Sequence, residues 1–176
     1  AFAGSEWIGA ITRKDAHLPE GRKYHGSELK KPEAKAAWAA VDTLAKKSIY
    51  LRREFYVAKK VKDATAYVCG LGFYEFSLNG EKVGDSEFAP LWSDYDKSVY
   101  YNTYDVTSQV KKGGNAIGVL LGNGFYNVQG GRYRKLQISF GAPTLRFRMV
   151  VNYEDGTCET IVSGKDWKYD FSPVLF

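Results

Sequence analysis

The chain has 176 residues, enough for one sizeable core with an N-terminal extension, and its 44% hydrophobic and 26% charged residues are ordinary for a globular protein. Its 25 Lys and Arg exceed 20 Asp and Glu for a formal charge of +5. These cations are scattered among acids without a nucleic-acid-binding motif, so nucleic acid is not an expected partner. No apolar run approaches the length of a transmembrane helix, no signal peptide begins at Ala1, and Cys69 and Cys158 have no metal-ligand spacing.

Residues 1–31 contain Trp7-Ile8-Gly9 and then a polar stretch with Pro19, Gly21 and Gly26, read as an extended arm that packs on the core through Trp7 and Ile8. His17 and His25, the only histidines, have no carboxylate or cysteine at ligand spacing and are expected in exposed loops. From Pro32 to Lys47 the spacing predicts one helix. Proline suits its first position, Ala34, Trp38, Val41 and Leu44 or Ala45 form one stripe, and Lys46-Lys47 suits its C-terminal dipole. This places an arm over 1–48 and a main domain over 49–176.

The main domain reads as strands. Tyr50–Val57 alternates with period two, and Ala64–Cys69 follows a turn over Lys59–Asp63. Tyr74, Phe76 and Leu78 alternate with Phe73, Glu75 and Ser77, and Asn79-Gly80 supplies a hairpin turn whose two central positions need positive φ. A long connection over Asp85–Lys97 leads to a strand over Val99–Val106, then to a helical turn capped by Thr107 or Ser108 and ended by Gly113-Gly114. Ala116–Leu121 is apolar on both alternating faces and is expected to be a central strand covered on both sides. After a glycine-rich loop over Gly122–Lys135, Leu145, Phe147, Met149 and Val151 face inward in a hairpin with Thr157–Val162 across Glu154-Asp155-Gly156, and Trp167 closes the sheet edge. Each cysteine lies in a strand, where a lone thiol is expected as a small buried hydrophobe, a single disulfide between the two being the alternative. Many short strands and one helix indicate a mainly β, antiparallel jelly-roll β-sandwich, like galactose-binding domains, with one short N-terminal helix.

Chemistry concentrates in two loops. Glycoside hydrolysis usually needs two carboxylates, and Asp94 and Asp96 on an extended segment would lie roughly 6 to 7 Å apart at their backbones. Ser93-Asp94-Tyr95-Asp96-Lys97 reads better as a turn in which aspartates bond their own backbone and a lysine neutralises them. The aromatic share is 15%, with 13 Tyr and 4 Trp. Trp92, Tyr95, Phe125, Tyr126 and Tyr133, with Asp94, Asp96, Asn123 and Arg132, are therefore candidates for contact with carbohydrate or with a neighbouring domain: aromatic faces stack on sugar C–H groups, and planar polar groups bond hydroxyls. Packing of the loops themselves is the plainer account of those aromatics. Gly122-Asn123-Gly124 and Gly130-Gly131 lack the Gly-Lys-Ser/Thr ending of a phosphate loop, and no Ser-His-Asp set is available. No cofactor is expected; the one metal alternative is a structural calcium on Asp94, Asp96 and backbone carbonyls.

The runs Tyr67-Val68-Cys69-Gly70-Leu71-Gly72-Phe73-Tyr74-Glu75, Leu78-Asn79-Gly80-Glu81-Lys82-Val83-Gly84-Asp85, Trp92-Ser93-Asp94-Tyr95-Asp96-Lys97, Thr103-Tyr104-Asp105-Val106-Thr107 and Gly118-Val119-Leu120-Leu121-Gly122-Asn123-Gly124-Phe125-Tyr126 resemble, in that order, the N-terminal β-sandwich domain of bacterial α-L-rhamnosidases. The likeness covers roughly Tyr50 to Trp167. It implies a non-catalytic accessory module of a multi-domain glycoside hydrolase, whose acidic residues for hydrolysing terminal α-L-rhamnose with inversion lie in a separate (α/α)6 barrel further along. The downstream domains of the same enzyme are then the expected partners, rhamnose-containing glycans are possible ligands, and glycan degradation fits the periplasm or exterior. Phe125 departs from the family pattern, in which tryptophan is frequent at that position. An autonomous carbohydrate-binding module is the alternative.

Overall fold

The computed structural model describes residues 8–9, 47–95, 97–128, 138–140 and 142–175. Residues 32–46 of the helix expected over Pro32–Lys47, and the loop residues Asp96, Arg132 and Tyr133, lie outside the described residues. Twelve strands are described: β1 (Ile8–Gly9), β2 (Lys47–Val57), β3 (Val61–Leu71), β4 (Phe73–Leu78), β5 (Glu81–Lys82), β6 (Asn102–Asp105), β7 (Gly113–Gly122), β8 (Asn127–Val128), β9 (Ile138–Ser139), β10 (Thr144–Tyr153), β11 (Cys158–Val162) and β12 (Lys168–Leu175). They form a six-stranded sheet in the order β1-β12-β2-β7-β4-β5, a four-stranded sheet β11-β10-β3-β6 and the pair β8-β9. Every pairing is antiparallel.

Period-two alternation determines which side of each strand is buried. Tyr74, Phe76 and Leu78 of β4 and Ile117, Val119 and Leu121 of β7 are buried, as are Ala64, Ala66 and Val68 of β3 and Phe147, Met149 and Val151 of β10. The two sheets meet at Phe76, whose ring centroid lies 5.5 Å from Phe147 of β10 and 5.7 Å from Tyr104 of β6. Such inclined ring contacts let the positive edge of one ring meet the negative face of another. Trp167 does more than close an edge. Its ring packs on Phe147 at 5.2 Å, it is 2% exposed, and its indole N–H donates to the Val162 carbonyl.

The Asn79-Gly80 turn is present, with φ of 55° and 85°. Asn79 does a second job. Its amide donates to the Gln109 carbonyl and to Asn115 Oδ1, and its Oδ1 accepts from the Ala116 N–H. The hairpin is thereby tied to β7 and to the turn before it, where buried Asn115 bonds Lys111 and Gly113.

Several boundaries differ from the sequence reading. Lys47, expected as the last helical residue, opens β2, where it pairs with Leu175; beside it the buried Ser48 hydroxyl donates to the Val174 carbonyl. The turn after β2 is shorter than Lys59–Asp63, because β3 already pairs with β10 at Val61. Lys59 and Lys60 close that end through Asp155 and Glu154. The strand expected over Val99–Val106 is β6 alone, since its pairing with β3 stops at Val68 and 99–101 run on unpaired. The helical turn after it is capped by Asp105, whose carboxylate accepts from the Thr107 N–H and hydroxyl. β7 is central in its sheet, but Ala116, Gly118 and Leu120 on its second face are only half-buried. Cys158 is exposed and Cys69 half-buried, and both are free thiols. β10 separates their strands, with Cys69 opposite Arg146 and Cys158 opposite Asn152, so a bridge between them is out of reach.

Candidate functional site: an aromatic loop face

The site begins at a corner where the chain passes from one sheet to the other. Between β3 and β4, Gly72 has φ +128°, and a Cβ there would stand 2.1 Å from the Gly122 carbonyl oxygen. Only a residue without a side chain lets these two backbones approach so closely. The glycine-rich loop after β7 is thereby held against Phe73, and Phe125 lies edge-on to the Phe73 ring with centroids 5.7 Å apart.

The connection after the β4–β5 hairpin arrives at the same place. Tyr74 donates its N–H to the Ala89 carbonyl at 2.7 Å, and Ala89 and Pro90 are buried. The residues on either side of this clip project outward, Phe88 being 72% and Leu91 77% exposed. Phe88 lies 5.6 Å from Phe73, and Trp92, 65% exposed, lies 5.2 Å from Phe125 with an interplanar angle of 30°. Phe88, Phe73, Phe125 and Trp92 thus form a continuous outward row from two loops and one strand.

A second cluster is less exposed, with Tyr95, Tyr126 and Phe140 half-buried. Tyr95 makes edge-on contacts with Tyr126 and Phe140 at 5.1 and 5.3 Å, and Tyr126 stacks on Phe140 and donates its hydroxyl to that residue's carbonyl. The Tyr95 hydroxyl is buried and has no hydrogen-bond partner among the described residues. Burial is the main cause that pushes the phenols of Tyr95 and Tyr126 above their ordinary range.

The polar candidates serve the loops. The Asp94 carboxylate pairs with Lys97 at 3.0 Å, and its carbonyl accepts from the N–H groups of Lys97 and Ser98. The turn and the lysine that neutralises Asp94 are present, but these two N–H bonds run between backbone groups, and Ser93 reinforces the turn by donating to the Ser98 carbonyl. Asn123 is 7% exposed; its Oδ1 accepts from Asn127 Nδ2 and its carbonyl from the Asn127 N–H, so it closes the glycine loop and does not face solvent. Among the described residues no group of three or more His, Cys, Asp or Glu is placed to hold a metal ion, and Asp94 already faces its own lysine. No helix among them is long and apolar enough to cross a membrane.

Of the nine residues singled out in the sequence, the structure brings Trp92 and Phe125 together on the outside and Tyr95 and Tyr126 together in the less exposed cluster. It assigns Asp94 and Asn123 to loop closure. Asp96, Arg132 and Tyr133 lie outside the described residues. Sequence reasoning missed Phe73, Phe88 and Leu91. The available signals were the outward position of Phe73 in the β4 alternation and the apolar pair flanking Ala89-Pro90.

Residues 59–176 match the model of the alpha-L-rhamnosidase N-terminal domain family. An alpha-L-rhamnosidase of Formosa agariphila is 43% identical over 131 residues, which cover 72% of this chain and 14% of that protein. Among solved structures, the Streptomyces avermitilis alpha-L-rhamnosidase complexed with L-rhamnose superposes with a TM-score of 0.67 at 42% identity, covering 73% of this chain and 12% of that one. The native Aspergillus terreus enzyme superposes with a TM-score of 0.69 at 37% identity, covering 73% of this chain and 15% of that one. The chain therefore spans about one seventh of the curated relative's length. With five ordered motifs and two antiparallel sheets in agreement, it belongs to the alpha-L-rhamnosidase N-terminal domain family.

Proposed function

We propose that this chain is a non-catalytic accessory module of a multi-domain α-L-rhamnosidase, a glycosidase that releases terminal α-L-rhamnose. Its two sheets are read as a jelly-roll sandwich of the galactose-binding type, preceded by an N-terminal helix that begins at about Pro32 and ends before Lys47, the first residue of β2. The module supports the catalytic barrel, and its outward aromatic row is the surface offered to the downstream domains. One observation carries the reading: the family match spans 59–176, yet the matched relative is about seven times longer than its aligned part. The ion-paired, turn-bound Asp94 agrees with a surface that performs no hydrolysis.

The second reading, an autonomous carbohydrate-binding module, is favoured by one feature, the largely exposed Trp92 ring supported by Phe125. Calorimetric titration of the chain with L-rhamnose and a rhamnose-containing oligosaccharide, run beside a chromogenic rhamnoside assay, separates the possibilities. The accessory role predicts no aglycone release and no saturable heat. Binding abolished by Trp92→Ala without turnover would transfer the conclusion to the second reading. Turnover that disappears on Asp94→Asn would overturn both.

A further inference from the structure

The outer face of the four-stranded sheet holds cations that the fold does not use. On β10, Arg146 and Arg148 are exposed because Leu145, Phe147 and Met149 alternate with them toward the core. Their backbones lie roughly 6 to 7 Å apart along the strand. In the pairing with β3, Arg148 stands opposite Tyr67 and Arg146 opposite Cys69. The Tyr67 ring lies 6.2 Å from that of Tyr101 with a tilt of 59°, and Tyr101 is 64% exposed. Two guanidinium groups thus adjoin two phenol rings on one sheet surface.

Several surface cations elsewhere have acids beside them: Lys59 with Asp155, Lys60 with Glu154, Lys82 with Glu87, Lys97 with Asp94 and Arg53 with Asp166. Arg146 and Arg148 pair with none of the described acids. The acids on the same face sit at its far end and are engaged there, Asp63 by Asn152 and Asp105 by Thr107. The face is therefore polarised, cationic and aromatic at one end and acidic at the other. A long polyanion lying across it would meet that acidic end, whereas a short ligand with one or two acid groups would not. An arginine fork suits a planar carboxylate, and a tyrosine face suits the C–H side of a sugar ring.

We propose that Arg146, Arg148, Tyr67 and Tyr101 form a binding strip for an acid-bearing saccharide, the arginines pairing its acid groups and the tyrosines packing on its rings. The choice of a saccharide over other anions rests on the glycosidase-module reading above. The strip uses none of the residues of the Trp92 row and takes a different class of ligand from neutral rhamnose.

The test is titration of the chain at low salt with digalacturonate, a sulfated disaccharide, neutral maltose and oligodeoxythymidine. Saturable binding of either acidic saccharide, weakened at least tenfold by Arg146→Ala/Arg148→Ala and by Tyr101→Ala but not by Lys111→Ala/Lys112→Ala, supports the proposal; which of the two binds identifies carboxylate or sulfate. Absence of binding to both, equal binding of oligodeoxythymidine, or binding that survives the arginine changes overturns it. All four residues are surface positions, and an unchanged unfolding midpoint verifies that each variant is folded. No turnover enters the readout, so a negative titration leaves the accessory role standing, while rhamnoside release by the chain would remove that role without touching this result.

Discussion

The Phe76 region and the Trp92 region are built from the same kind of residue and serve opposite ends. Around Phe76, rings from both sheets meet in the core, and Phe76 itself is 1% exposed. Around Trp92, rings from two loops and the first residue of β4 meet at similar centroid separations but turn outward to solvent. Aromatic contact alone does not make a core. What differs is exposure: the rings at Phe76 are enclosed by protein, whereas Phe88 and Trp92 at the ends of the outward row are 72% and 65% exposed. The hydrophobic effect rewards area removed from water, so the first row stabilises this chain and the second contributes little until something covers it.

The most severe way to break this contrast is Phe76→Ala. Removing a buried ring between two sheets is expected to cost about 3–5 kcal/mol, read from the shift in urea midpoint at constant slope. A cost below about 1 kcal/mol would mean that the sheets do not depend on their shared ring. Next comes Asn79→Ala, which forces alanine to a φ of 55° and removes the amide's bonds to Gln109, Asn115 and Ala116. A loss of about 2–4 kcal/mol is expected from the strained turn and the orphaned partners together. Asn79→Gly should recover only the turn part; full recovery would show that the bonds contribute nothing.

The layout of this core was legible because a strand alternates with period two and the residues around Phe76, Ile117 and Phe147 keep that alternation without interruption. Asn79-Gly80 announced its turn because few dipeptides accept two successive positive φ angles. The loops were harder to read. That Asn123 is buried and Trp92 is not depends on the close approach of Gly72 to Gly122, residues 50 positions apart in the chain, and no local pattern encodes it. The exposure of Cys158 was missed for a related reason: it lies on β11, an edge strand whose five residues are exposed or only half-buried, so strand membership there does not imply burial. The Asp94 turn was legible, since acid and lysine three residues apart neutralise each other locally.

The smallest expected effect tests the central claim most directly, that the outward aromatic row exists for contact and not for folding. Denaturant unfolding of the chain carrying Phe88→Ser and Trp92→Ser should give a free energy within about 0.5 kcal/mol of the parent chain, as for other surface substitutions. A loss of about 2 kcal/mol or more would place these rings in the stabilising core and contradict the account of this face as a docking surface.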